Sequence, residues 1–192
     1  MAKFGYFSGD GKEYIIDKPL RPIRHLINFS WNKHVISGVN QFGTGEGVFN
    51  NQTLLYNDPV GRARMIKDGR RYFYIRDDES GAYWNIGYFP VKHEPFELKT
   101  VFGPGDSKFI HTTENIQTEA LSFAAHDEPV EIWKIRVINK GQKHRRLKIY
   151  PYVEWLLQGY PIASDYYSYL KSEYIDDINA IISFNLSDER PH

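Results

Sequence analysis

The acidic side chains are the groups in this sequence that could cut a glycosidic bond, a reaction that needs two carboxyl groups facing each other across a sugar. Asp and Glu together number 24, but no spacing marks out a pair. Glu154 lies between Val153 and Trp155 in a predicted strand, so it is the acid best placed to be partly enclosed. A structural ion pair or a hydrogen-bonded place in a binding site is the favoured interpretation of Glu154, ahead of a catalytic acid. The run Asp77-Asp78-Glu79 is interpreted as a solvated turn.

Other catalytic and metal-binding patterns do not occur in the sequence. Without cysteine there is no thiol nucleophile and no disulfide framework. The seven histidines have neither the i, i+4 nor the i, i+2 spacing that presents two imidazoles to one metal, and no Gly-x-Ser-x-Gly motif occurs. The segment Gly43-Thr44-Gly45-Glu46-Gly47 lacks the Gly-Lys-Ser/Thr of a phosphate-binding loop and predicts a β-turn. We therefore predict no metal, no cofactor and no covalent nucleophile.

Aromatic residues are in excess, at 16% of the chain with 14 Tyr and 4 Trp. Their rings can stack on the C–H faces of sugars or fill the inner faces of a β-sandwich, and for any single aromatic the core is favoured. Alternation in the predicted strand 72–77 gives one face for binding and one for packing. Tyr72, Tyr74 and Arg76 share one of these two faces, and Phe73, Ile75 and Asp77 share the other. A further group looks too polar and loop-like for a core: Tyr160, Tyr166, Tyr167, Tyr169 and Tyr174.

The charge balance argues against polyanionic partners. Lys plus Arg equal Asp plus Glu, so the net charge is zero and no one-signed field would attract nucleic acid or an acidic membrane. The basic residues at 62–76 and 143–146 are interpreted as a solvated, charge-balanced edge. Residues 1–10 do not form the apolar run of a signal peptide, and no window reaches the length of a membrane span, so a cytoplasmic protein is expected.

Short strands separated by Gly, Pro and Asp turns predict an all-β fold. Asp-Gly pairs supply the positive φ values of tight turns, and they predict hairpins at residues 3–17 and 62–76. After a turn at 77–81, a strand is predicted over 83–91. No window has a helical apolar period that is free of Gly or Pro.

The strand at 130–138 alternates cleanly, and the side that carries Trp133, Ile135 and Val137 is predicted to face the core. After a turn at 139–141, residues 145–155 are predicted to return as its antiparallel partner. These elements together predict an all-β, two-layer antiparallel β-sandwich in a single domain over 1–192. The polar end that directly follows the apolar strand 180–184 leads us to expect a sandwich incomplete at its C-terminus.

Four motifs, in order, carry a resemblance to a known family. They are residues 1–7 (MAKFGYF), 13–16 (EYII), 69–77 (GRRYFYIRD) with 83–84 (YW), and 152–155 (YVEW). In this order they resemble the N-terminal β-sandwich domain of glycoside hydrolase family 94, the cellobiose-phosphorylase-like inverting glycoside phosphorylases formerly classed as glycosyltransferase family 36. The likeness runs across most of the chain.

The resemblance implies a supersandwich of the galactose mutarotase type, followed in the family by a linker and an (α/α)₆ barrel that holds the catalytic acid and the phosphate site. The chain alone would then be non-catalytic, and its partners would be an oligosaccharide, the barrel as a domain or subunit, and a second copy in a dimer. The family's reaction implies phosphorolysis of β-linked gluco-oligosaccharides to sugar 1-phosphate.

Sugar-contacting residues are also implied, because in the family the stretch after the Val-Glu-Trp motif approaches the acceptor sugar. The positions implied here are Glu154, Trp155, Tyr160, Asp165, Tyr166 and Tyr167. Cellobiose-type members carry an Asn and an Arg where this sequence reads QGYPIASDYY at 158–167, so the acceptor stays open. Two alternatives also stay open: an independent carbohydrate-binding module with an exposed aromatic face, and a structural assembly module with an unpaired sheet edge.

Overall fold

The computed structural model describes residues 4–20, 24–49, 63–94, 96–158 and 170–185. Within these ranges the regular structure consists of antiparallel strands and one short 3₁₀ helix. The described strands form three sheets, which confirms the all-β prediction. No helix in the described part of the chain has the length and apolar character needed to cross a membrane.

The first sheet has six strands. In spatial order they are β1 (Gly5–Phe7), β2 (Tyr14–Ile16), β8 (Glu97–Phe102), β9 (Asp106–Thr113), β10 (Ile116–Ala124) and β11 (Glu131–Asn139). The predicted hairpin at 3–17 is confirmed as β1 and β2, with Gly11 at a φ of 73° in its turn. The β9–β10 hairpin turns through Glu114 and Asn115, whose φ values of 51° and 60° are those of a type I′ turn.

The second sheet lies opposite. Its order is β12 (Leu147–Gln158), β6 (Ala63–Asp77), β5 (Gly45–Phe49), β4 (Val35–Asn40) and β3 (Ile27–Trp31), with β7 (Tyr83–Asn85) also paired to β6. A separate hairpin contains β13 (Leu170–Ile175) and β14 (Ala180–Asn185), joined by the 3₁₀ helix Asp176–Ile178.

The core forms between the inner faces of the two large sheets. Alternate residues of β9 and β10 are buried, as expected for strands with one packed face. The central side chains include Ile75 and Trp84 from the second sheet and Phe109 from the first. Trp133, Ile135 and Val137 pack against this cluster, so the predicted core face of β11 is confirmed.

The predicted hairpin at 62–76 is wrong, because Ala63–Asp77 is one continuous strand. The Asp68-Gly69 pair lies at a shift of register: Val153 pairs with Arg71, whereas Trp155 pairs with Ile66. Between these two pairs β6 has four residues, 67–70, and β12 has one, Glu154. The extra residues of β6 form a β-bulge. A bulge is favoured over a turn here because it lets both halves of β6 pair with the long strand β12.

The predicted pairing of 130–138 with 145–155 is also wrong. β11 ends the first sheet, and the chain then crosses to the second sheet, where β12 pairs with β6. The crossing brings Leu147 against the core from the opposite layer. It also brings Arg146 next to the β6 turn, where its carbonyl accepts a hydrogen bond from the Asp78 N–H at 2.9 Å.

The predicted strand at 83–91 ends early, at Asn85. The Asn85 side-chain amide donates a hydrogen bond to the Phe89 carbonyl at 2.5 Å, and the Lys92 N–H donates to the Tyr88 carbonyl at 2.8 Å. Both contacts bend the backbone, so residues 86–92 form turns.

Candidate carbohydrate-binding surface

Four tyrosines meet on the outer face of the second sheet because β6 pairs with β12. The register places Tyr74 opposite Tyr150 and Tyr72 opposite Tyr152. The rings of Tyr72 and Tyr152 are stacked with centroids 5.9 Å apart, and Tyr74 lies 5.9 Å from Tyr72 and 6.4 Å from Tyr152. Tyr150 and Tyr152 are 44% and 43% exposed. We call these four residues the tyrosine surface.

Tyr74 is the member of the tyrosine surface whose phenol has a raised pKa, so it stays neutral at physiological pH. Burial raises the pKa of Tyr74, and the neighbouring Tyr72 and Tyr152 raise it further. A protonated phenol both donates and accepts hydrogen bonds, while its ring offers an apolar face. The predicted division of strand 72–77 into a packed face and an outer face is confirmed, since Ile75 is fully buried while Tyr72 and Tyr74 contact Tyr152 outside the core.

Charged groups border the tyrosine surface at one end. Lys148 stands opposite Arg76 in the register, and both approach the Asp78 carboxylate, at 3.0 Å and 3.7 Å respectively. These side chains are polar donors and acceptors beside exposed rings. Rings flanked by fixed polar groups form the type of surface on which a sugar can stack and hydrogen-bond.

Two of the six predicted sugar-contacting residues lie in the described ranges, at the other end of this surface. Glu154 and Trp155 are in β12, and both are partly buried. Alternation alone would place Glu154 on the same side as Tyr150 and Tyr152, and the shift of register lies at this residue. The other four, Tyr160, Asp165, Tyr166 and Tyr167, lie outside the described residues.

The predicted loop-like group of tyrosines has one member in the described ranges. Tyr174 lies in the β13 strand, 55% exposed, and its hydroxyl donates a hydrogen bond to the Asn179 side chain at 2.7 Å. Tyr174 therefore lies outside the core, as predicted, but on a strand and not in a loop. The remaining members, Tyr160, Tyr166, Tyr167 and Tyr169, fall outside the described part of the chain.

Beneath the tyrosine surface, a buried ion pair joins the two sheets. Arg71 of β6 donates to the Glu131 carboxylate of β11 at 2.6 Å, and the Arg71 guanidinium lies 4.8 Å from the centre of the Trp133 ring. The same carboxylate accepts hydrogen bonds from Ser37 and from the Trp133 indole, both at 2.7 Å. Burial lowers the pKa of Arg71, while Glu131 opposes that change. Alternation placed Glu131 on the core side, but no local signal identified Arg71 as its partner.

A second ion pair corrects two predictions. Asp77 was interpreted as part of a solvated turn and Arg145 as part of a solvated edge, but the Asp77 side chain is only 1% exposed. One Asp77 oxygen accepts hydrogen bonds from Arg145 Nε at 2.8 Å and Nη2 at 2.5 Å. The Glu79 N–H, the Ser80 hydroxyl and Arg145 together lower the pKa of Asp77 to about 2, against the opposing effect of burial.

Two histidines, His93 and His111, lie close to each other. His93 contacts Glu114 at 3.0 Å, and its ring lies 6.0 Å from that of Trp84. Burial lowers the pKa of His111 to about 4, and the nearby His93 adds to the effect. In the described ranges, no group of three or more His, Asp or Glu side chains is arranged to hold a metal ion.

Comparison with known proteins gives the family. The family model described as "Glycosyl hydrolase 94, supersandwich domain" matches residues 12–189. The whole chain is 37% identical to a solabiose phosphorylase of Paenibacillus borealis, of which it spans 25%. It is 29% identical over 147 residues to a 3-O-beta-D-glucopyranosyl-beta-D-glucuronide phosphorylase of the same organism, and 27% identical over 162 residues to an N,N'-diacetylchitobiose phosphorylase of Vibrio proteolyticus. These matches span 18% and 19% of those relatives. The chain therefore belongs to glycosyl hydrolase family 94, and the matched region is the supersandwich domain of that family.

Proposed function

We propose that this chain is the non-catalytic, sugar-contacting part of a phosphorylase that cleaves β-linked gluco-oligosaccharides with phosphate and releases sugar 1-phosphate. The family match over residues 12–189 carries the proposal, together with the 37% identity to solabiose phosphorylase. The chain spans only a quarter of that relative, so the reaction is assigned to the assembled phosphorylase.

The carboxylates inside the sandwich support a non-catalytic role. A general acid must carry a proton at neutral pH, but the pKa of Asp77 is lowered to about 2. Glu131 is occupied by Arg71, Ser37 and Trp133. Glu131 therefore links the two sheets, Asp77 holds the segment before β12 against the end of β6, and we assign the catalytic acid to a separate barrel domain or subunit.

The tyrosine surface and Glu154 are proposed to contact the oligosaccharide. Rings of Tyr150 and Tyr152 would stack on sugar C–H faces, while Glu154 would accept a hydrogen bond from a hydroxyl. Trp155, Tyr160, Asp165, Tyr166 and Tyr167 are proposed to continue this contact toward the acceptor sugar. A homodimer and a cytoplasmic location complete the proposal.

The first test is activity. The purified chain, supplied with phosphate and a cello-, laminari- or sophoro-oligosaccharide, should release no sugar 1-phosphate. Release of sugar 1-phosphate by the chain alone would contradict the non-catalytic assignment.

The second test is binding. We expect weak binding of these oligosaccharides, measured by calorimetry or by chemical-shift changes. Tyr150→Ser with Tyr152→Ser should weaken binding about tenfold, equivalent to roughly 1.4 kcal/mol. Tyr6→Ser is the matched control, because Tyr6 is similarly exposed, at 49%, but lies on β1 of the other sheet. Equal affinity of the wild-type and doubly substituted chains would remove the tyrosine surface from the proposal.

The exposed tyrosine rings also favour a second candidate, a stand-alone carbohydrate-binding module. Tight binding of one oligosaccharide by the isolated chain would favour this candidate, because one wall of a larger site should bind weakly. A structural assembly module is the third candidate. A monomer by light scattering at high protein concentration would count against it.

A further inference from the structure

Strand β3 carries an apolar stripe that the sugar-contacting role does not use. Ile27, Phe29 and Trp31 alternate along it and are 54%, 44% and 68% exposed. Their alternation partner Ser30 is buried, so the three large side chains share the outer face of the second sheet. We call Ile27, Phe29 and Trp31 the β3 stripe.

The β3 stripe is held firmly in place. The Asn28 side-chain amide donates hydrogen bonds to the carbonyls of Gly103 and Asp106 and to the Ser107 hydroxyl, at 2.8 to 3.0 Å. Beyond the other end of the strand, the Asn32 amide donates to the carbonyls of Ala125 and Glu128. The acceptors lie in or next to the β8–β9 and β10–β11 connections of the first sheet, so the strand that carries the stripe is fixed to the sandwich.

The outer face of the first sheet has a different character. On β11 the exposed side carries Lys134 and Arg136 next to Ile132, and Arg136 approaches Glu119 of β10 at 3.6 Å. Such a mixed face suits contact with water, whereas the β3 stripe contains no charged side chain. Exposed apolar residues grouped in this way mark an interaction site, and β3 is also the last strand in its sheet.

We propose that the β3 stripe packs against an apolar surface of the remaining polypeptide of the phosphorylase, with Trp31 as the central contact. This inference rests on the proposed function. The binding partner of the stripe is inferred from the relatives. The chain spans 25% of solabiose phosphorylase, so three quarters of that protein lie outside the match. Exposed tryptophan is also the residue type most often found at the energetic centre of a protein interface.

Other occupants fit the stripe less well. An oligosaccharide needs donors and acceptors beside the rings, and of the three side chains of the β3 stripe only Trp31 carries a polar group, its indole N–H. Three side chains on a five-residue strand fall well short of the roughly 1,200 Å² that a stable pair of free copies buries. A domain in the same polypeptide needs less buried area, because the linkage gives it a high effective concentration.

Side-chain footprinting tests the proposal. In a chimaera, this chain replaces the matched quarter of the P. borealis solabiose phosphorylase, and hydroxyl-radical oxidation is compared between the chimaera and the isolated chain. We expect at least fivefold protection of Trp31 in the chimaera and little change at Phe7, which is equally exposed, at 67%, but lies on β1. Trp31→Ser should lower the unfolding temperature of the chimaera more than that of the isolated chain.

Equal oxidation of Trp31 in both proteins would overturn the inference. Protection of Trp31 in the isolated chain that rises with its own concentration would also overturn it, because the occupant would then be a second copy. If the chimaera does not fold, the isolated chain is titrated with the remaining polypeptide, and the same protection of Trp31 decides. A chimaera that protects Trp31 but has no phosphorolytic activity would contradict the proposed function and leave the docking surface in place.

Discussion

Acidification should destabilise the sandwich through a single buried imidazole. His111 is 1% exposed, and burial holds its pKa at about 4 against an ordinary value of 6.5. The folded protein therefore disfavours the imidazolium form, and the unfolded chain takes up the proton first as the pH falls. Stability is complete above about pH 6.5 and decreases until the folded protein is itself protonated near pH 4.

The size of the effect follows from the two pKa values. At about 1.36 kcal/mol per pH unit, the fall from 6.5 to about 4 corresponds to about 3 kcal/mol, of which roughly 2 kcal/mol is lost by pH 5. Asp77 adds little in this window, because its pKa is lowered and its contribution is lost only below an ordinary value of 3.8. Urea unfolding at pH 7 and pH 5 measures the difference directly.

A variant assigns the effect to this residue. His111→Leu should be less sensitive to pH by about 2 kcal/mol between pH 7 and pH 5, whatever its stability at pH 7. His126→Ala is the control and should keep the full dependence, because its side chain is 95% exposed. If His111→Leu and the wild type lose the same stability over this range, the reasoning about burial is wrong.

Two further substitutions test contacts that hold the connecting segments in place. Arg145→Ala should lower the free energy of unfolding in urea by about 3 kcal/mol, because it leaves the Asp77 carboxylate buried and unpaired. The control Arg136→Ala removes an exposed ion pair and should lower it by less than about 1 kcal/mol. Equal losses for the two variants would contradict a stabilising role of the buried pair. Gly87→Ala should lower the unfolding temperature sharply or prevent folding, because its Cβ would lie 1.8 Å from a backbone carbonyl oxygen, while Gly9→Ala meets nothing within 4 Å and should be nearly neutral.

The local part of the fold could be predicted from the sequence. Alternation over a few residues identified the core face of β11, and the Asp-Gly pair identified the first hairpin. Both signals act between neighbours in the chain, so they need no knowledge of the rest of the fold. The same Asp-Gly signal failed at 68–69, because a bulge opposite Glu154 suits those residues as well as a turn does.

The long-range part could not be predicted in this way. Asp77 and Arg145 are 68 positions apart, and Arg71 and Glu131 are 60 apart, so no spacing rule connects them. Glu131 shares the predicted core side of its strand, whereas the other three residues taken alone suggest solvent. Only the packing of the two sheets and the crossing of the chain between them bring each pair together. The sequence predicts part of the tyrosine surface, because alternation places Tyr72 and Tyr74 on one face of their strand. It does not predict their partners Tyr150 and Tyr152 on β12.

The connection between β11 and β12 has a consequence for folding kinetics. The first sheet grows from hairpins such as β9–β10, which closes through two residues, whereas the β6–β12 ladder needs a strand that begins 70 positions after β6 ends. Because long chain closures slow folding, we expect the β8–β11 meander to become protected from hydrogen exchange early and the β6–β12 ladder late. The tyrosine rings would then come together only in the last stage of folding, so partly folded chains would lack the sugar-facing surface.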